Sequence, residues 1–237
     1  MKVRGRRECR DCGVRWSYYD TGSIACPDCG SIDSRGLDDE RRLHTAAPVE
    51  LDLSSVQPEV DEVPLSTLAG DVKDACRSFV ARQGFVRGGE LQPLDGTTVA
   101  ARELLQAADV VARALDVSDA EQWYLLELLD GAEAGDRPAP EAVPESMRAA
   151  RGLAVVDAVA DYRREATAWL DENPHPEVRE PLARLRDHER RLRALEGDVE
   201  PATAGRLLAT TRDLGRYLRE GDEGALASAT DRLDRLE

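Results

Sequence analysis

A chain of 237 residues can bury a medium-sized core and still carry a small appendage. Its formal charge of -15, with 33% charged and only 4% aromatic residues, places it at the polar end of globular proteins. Leu, Val and Ala recurring at helical spacing set it apart from disordered chains. No apolar run approaches the ~18 residues of a membrane span, and residues 1–10 hold no apolar leader core, so the sequence predicts a cytoplasmic protein without a membrane contact.

The first thirty residues carry one phrase twice: Cys9-Arg-Asp-Cys12-Gly13 and Cys26-Pro-Asp-Cys29-Gly30. Two C-x-x-C-G turns with thirteen residues between the inner cysteines can close on one tetrahedral ion. The expected cofactor is a single structural Zn2+ held by Cys9, Cys12, Cys26 and Cys29. Iron in the same four thiolates would make a rubredoxin-like carrier, but the gap between knuckles suits a zinc ribbon better. A tetrathiolate site has no open position for water, so it supplies folding energy and shape, not Lewis-acid catalysis.

Around the first knuckle Arg4, Arg6, Arg7, Arg10 and Arg15 outnumber Glu8 and Asp11. These arginines can offset the charge of the thiolate centre, or, together with Trp16, face a nucleic acid or another partner. Val14, Trp16 and Tyr18 alternate with polar residues, as in a half-buried strand. Asp20-Thr21-Gly22 would turn it back along Ser23-Ile24-Ala25 to the second knuckle, giving a ribbon over residues 1–36.

Residues 37–65 read as an acidic, proline-containing linker with room for one short strand at Val49, Leu51 and Leu53; His44 reads as a loop histidine. From Ser66 the pattern turns helical and stays so to residue 237, with a subdivision near residues 131–145. Leu68, Val72, Cys76 and Val80 mark one helix, in which Cys76 is a small core hydrophobe. After a Gly- and Pro-containing loop from Phe85 to Thr98, Leu104, Ala108, Val111 and Leu115 mark the next. Ser118-Asp-Ala-Glu121 is a capping box opening a third, with Trp123, Leu126 and Leu129 inward.

Val155, Val159, Tyr162, Ala166 and Trp169 form a heptad-like seam. Leu182, Leu185, Leu192 and Leu195 follow in a helix opened by Pro181; His188 sits at the boundary of that stripe. Leu207, Thr211, Leu214 and Leu218 form another helix, ended by Gly221, and Leu226, Leu233 and Leu236 the last. The fold class is therefore mainly α: a small N-terminal β zinc ribbon followed by an acidic, all-helical, bundle-like domain.

No glycine-rich phosphate loop, G-x-S-x-G or H-E-x-x-H motif is present, and three histidines are scattered over the chain, which disfavours an enzyme. Lys2 and Lys73 are the only lysines. High acidity, arginine as the base and small apolar residues together match the composition of salt-in halophiles, for which screening at molar salt makes such a surface tolerable.

On its two knuckles the chain resembles the zinc ribbon of transcription factor IIB, and it is similar to a haloarchaeal family that joins such a ribbon to an acidic helical region. The resemblance implies that Cys9, Cys12, Cys26 and Cys29 ligate zinc. It also implies an interaction module serving nucleic acid or transcription machinery, although the cyclin-like repeats of that factor are missing. The alternative is a protein–protein adaptor whose helical domain binds the partner while the ribbon is structural.

Overall fold

The computed structural model describes residues 1–60 and 62–236. Its N-terminal unit is small and built of strands: β1 (Lys2–Val3), β2 (Arg6–Cys9), β3 (Arg15–Ser17), the helical turn α1 (Tyr18–Thr21), β4 (Ser34–Gly36) and β5 (Arg42–Leu43). β2 is the middle strand of an antiparallel β3-β2-β4 sheet, with Arg7 opposite Trp16 on one side and Gly36 on the other. β1 pairs with β5, so the chain end is tied down by residues 42–43.

Two details differ from the alternation in the sequence. Tyr18 leaves the strand and opens α1, which ends on Gly22 in the left-handed region. Ser23–Ala25 does not return as a strand; the returning strand is β4, beyond the second knuckle. The reason lies in hydrogen bonding: the carbonyl of Ser23 accepts from Trp16 Nε1 at 3.1 Å and that of Ile24 from Ser34 Oγ at 3.1 Å. Side chains thus satisfy the backbone that a ladder would have satisfied.

The helical body consists of α2 (Leu65–Arg82), a short hairpin of β6 (Val86–Arg87) and β7 (Glu90–Leu91), α3 (Gly96–Arg113), α4 (Asp119–Gly131), α5 (Arg148–Leu170), α6 (Arg179–Ala194), α7 (Pro201–Glu220) and α8 (Glu223–Asp234). Local chemistry sets the boundaries. Asp95 caps α3 by accepting from the Thr98 amide at 2.7 Å, and Ser118 and Glu121 close a reciprocal capping box on α4. Pro201 begins α7, and Gly221, with φ 70°, ends it. Pro181 stands inside the first turn of α6, which begins at Arg179 after a 3-10 turn.

α3 lies between α2 and α5 and divides the interior into two apolar clusters. One joins α2, α3 and α4; the other joins the hairpin, α5, α6, α7 and α8. The whole Val155–Trp169 seam and Cys76 are buried, as their spacing predicts. Residues 37–65 do more than connect. Leu51, Leu53 and Val56 are buried in the α2–α4 cluster, and the Leu53 amide donates to Glu133 at 2.7 Å, so residues 49–56 strap across the body without forming a strand.

Three expected inward residues are exposed. Trp123 lies outside α4 because Tyr124, Leu125, Leu128 and Leu129 form its buried face; Leu115 falls in the turn after α3, and Leu195 follows the end of α6. Among the described residues, no helix is long and apolar enough to cross a membrane.

Candidate metal centre

Both cysteine turns fold the same way. In the first, the Cys9 amide donates to Val14 O at 2.9 Å and the Gly13 amide to Cys9 O at 3.1 Å; in the second, Cys26 donates to Ser31 O at 2.8 Å and Gly30 to Cys26 O at 2.9 Å. Gly13 and Gly30 have φ of 76° and 75°, where a side chain is strained although a Cβ would meet nothing. Glycine is therefore needed for its backbone conformation, not to leave space. The Arg10 amide, donating to Asp33 O at 2.9 Å, joins one turn to the other.

The result is that the Sγ atoms of Cys9, Cys12, Cys26 and Cys29 lie within 4.8 Å of one another. Cys9 and Cys29 are 3.6 Å apart and Cys12 and Cys26 3.5 Å. A tetrahedral ion bound at Zn–S distances of about 2.3 Å requires sulfur–sulfur edges of about 3.8 Å, so the four thiols fit such an ion. Cys9 and Cys26 are buried, whereas Cys12 and Cys29 face outward.

The electrostatics of the sulfurs favour a shared cation. The backbone amide of Cys12, followed by that of Asp11, draws the Cys9 thiol down to about 7. The Val14 amide favours the Cys12 thiolate too, but burial and the three neighbouring sulfurs outweigh it and push that thiol up to about 12. Cys29 is also raised: the Ser31 amide and Cys12 lower it, but burial with Cys9 and Cys26 prevails. One thiolate forms readily, and further negative charge is opposed unless a cation shares it.

The basic cluster around the centre is largely engaged within the ribbon. Arg6 pairs with Asp38 at 2.6 Å, Arg10 with Asp33 at 3.6 Å, and Arg15 and Arg35 hold Glu8 from both sides at 2.7 and 2.6 Å. These contacts, the Arg15 and Arg35 hydrogen bonds first, keep the Glu8 carboxyl below its usual range, and Arg6 does the same for Asp38. Arg7 donates to Ser34 Oγ at 3.1 and 2.9 Å. Arg4 lies over Gly36 and makes no ion pair among the described residues.

Trp16, which the sequence offers as a candidate partner contact, is only 9% exposed and forms the ribbon's small core with Cys9, Cys26 and Val14. An indole that closes the interior of the ribbon cannot stack on a base. Exposed apolar side chains near the second knuckle are instead Ile24 and Ile32, one on each side of it.

The profile of one protein family matches residues 1–233. The chain belongs to DUF7117, a family of unknown function. The DUF7117 match begins just before β1 and ends in α8, so ribbon and helical body belong to the family together. No curated protein and no solved structure matches the chain.

The pattern of the sequence did not reveal the residues that seat the ribbon on the body. His44 is buried, with its ring 5.7 Å from Tyr18 and 4.9 Å from Tyr19. Its Nδ1 accepts from the Gly88 amide of the hairpin at 3.3 Å, and its carbonyl accepts from the amino group of Met1 at 3.2 Å. Thr45 and Ala46 donate to Val86 O, and Gly89 donates to Leu43 O at 2.8 Å. Lys2 pairs with Glu172 and Arg87 with Asp20 across the same junction. The one available signal was an isolated histidine five residues before an apolar alternation, which carries no register.

Proposed function

We propose that this DUF7117 protein is a structural-zinc adaptor: Cys9, Cys12, Cys26 and Cys29 hold one Zn2+, and the fixed ribbon and helical body together present a surface to a protein partner. The observation that carries this reading is the engagement of the ribbon arginines by Glu8, Asp33 and Asp38, with Trp16 turned inward. Phosphate binding needs cations free to displace counterions, and stacking needs an exposed ring. Exposed Ile24 and Ile32 support a protein contact on the ribbon, since charge depletion and apolar anchors mark interface centres.

Metal content and binding are tested separately. Elemental analysis of the purified chain is expected to find one zinc per chain. Chelation should then expose four thiols to a thiol reagent while Cys76, fully buried and pushed up to about 12 by burial, reacts only in denaturant. For the partner class, fluorescence anisotropy with random-sequence duplex DNA and single-stranded RNA is expected to show no saturable binding. Tight binding that weakens with salt and is lost in an Arg4→Gln, Arg10→Gln variant would replace the adaptor by a nucleic-acid module.

A further inference from the structure

Away from the ribbon, α6, the turn after it, the first turn of α7 and the end of α8 enclose a groove of about 320 Å³. That is near the lower bound of ligand-sized pockets, roughly 300 Å³. Its floor is apolar: Leu192 and Leu207 are buried, and Val199 and Leu236 are partly so. Arg191, Arg206 and Arg235 line it as well, and none of them makes an ion pair among the described residues. Among the described residues Arg206 donates only to Thr203 Oγ1, at 3.1 Å.

This gathering runs against the character of the chain, in which 47 acidic residues face 32 basic ones and most arginines meet a carboxylate. Glu200, the one carboxylate in the lining among the described residues, is paired with Arg148 at 3.3 Å. The neighbouring groove past Leu195 shows the usual balance, with Arg113 and Arg148 set against Glu145, Glu196 and Asp198. Three cations that meet no carboxylate among the described residues, in one concavity beside an apolar floor, have the form of a receptor for an anion carried on an apolar body. Arginine also offers the fork of donors that phosphate oxygens match. The first turn of α7, which lacks a side-chain cap, opens into the same groove and adds a favourable dipole.

We infer that this groove is a binding site for a small phosphomonoester with an apolar or aromatic body. Arg191, Arg206 and Arg235 take the phosphate, and Leu192, Val199, Leu207 and Leu236 take the body. Neither the zinc centre nor the ribbon surface takes part, so this site stands whether or not the adaptor reading does.

The test is titration of the full zinc-loaded chain with phenyl phosphate at constant ionic strength, followed by amide NMR. Saturable shifts are expected in residues 188–207 and 232–236, with inorganic phosphate and phenol each binding at least about tenfold more weakly. Arg206→Gln should weaken phenyl phosphate about tenfold, and the triple Arg191→Gln, Arg206→Gln, Arg235→Gln variant should abolish the shifts. Arg206→Lys should keep part of the affinity. All three arginines are exposed, so the variants should retain a dispersed spectrum. Absent or non-saturable shifts, shifts centred elsewhere, or full binding by the triple variant would overturn the assignment. Phenylacetate binding as tightly as phenyl phosphate would overturn the phosphate preference.

Discussion

Single residues decide how the ribbon meets the body, and His44 is the sharpest case. Burial first, then Arg87 and the N-terminal amine, hold its pKa below the ordinary value of 6.5. Protonation would add a third positive charge there and remove the acceptor used by the Gly88 amide. In the unfolded chain the ring titrates near about 6.5, so below that pH the unfolded state binds more protons than the folded one. Stability is therefore complete above pH 6.5 and falls as pH drops toward the lowered folded value, beyond which this contribution is flat. His44→Asn, which keeps an acceptor but does not titrate, should be less stable at pH 7, having lost the ring contacts with Tyr18 and Tyr19, yet should lose less on going to pH 5. Urea midpoints at the two pH values measure the difference; equal losses in both proteins would contradict it. Protonation of the cysteines affects both proteins alike and cancels.

At the scale of elements, the helices were legible because their apolar positions repeat and their caps are local signals; the capping box at Ser118 and the stop at Gly221 are seen as read. The misjudged face of α4 has a different origin. Its apolar residues run nearly around the helix, so the pattern does not choose between Trp123 and Tyr124. A polar contact chooses. The Tyr124 hydroxyl donates to Glu103 of α3, a fully buried carboxylate that also accepts from Arg137 at 2.6 Å and Arg151 of α5 at 3.0 Å. A glutamate inside a helical pattern reads as solvent-facing, which is why this knot was invisible in the sequence. It joins three helices and the connector at residues 131–147, so its loss should be felt by all of them. Glu103→Ala leaves the buried Arg151 and the half-buried Arg137 without their anion and is expected to cost about 3–5 kcal/mol. Denaturant titration measures it; a loss below about 1 kcal/mol would mean that water replaces the carboxylate.

At the scale of the whole molecule, the two cysteine phrases foretold the four-cysteine cluster, whereas the seating of the ribbon was hidden because it depends on long-range contacts among His44, the hairpin and α5. What the composition does determine is the electrostatic balance. With 47 acidic and 32 basic residues, the chain retains 15 uncompensated negative charges even if every base finds a partner. Added salt acts on this in two opposing ways. It screens exposed pairs such as Arg77–Asp74 and Arg190–Asp187, each worth about 0–1 kcal/mol at most. It also screens repulsion among the surplus carboxylates, which extends across the surface and falls steeply as the Debye length shrinks from about 10 Å at 0.1 M to about 3 Å at 1 M. Buried pairs such as Arg163–Glu189, at 2.7 and 2.9 Å, are shielded from the ions and change little. Relief of repulsion should therefore win, and the thermal midpoint of the zinc-loaded chain should rise between 0.1 and 1 M KCl. Calorimetry at fixed pH measures that shift. A midpoint that fell over this range would show that exposed ion pairs outweigh the excess charge, and the acidity would then need an explanation other than tolerance of a high-salt solvent.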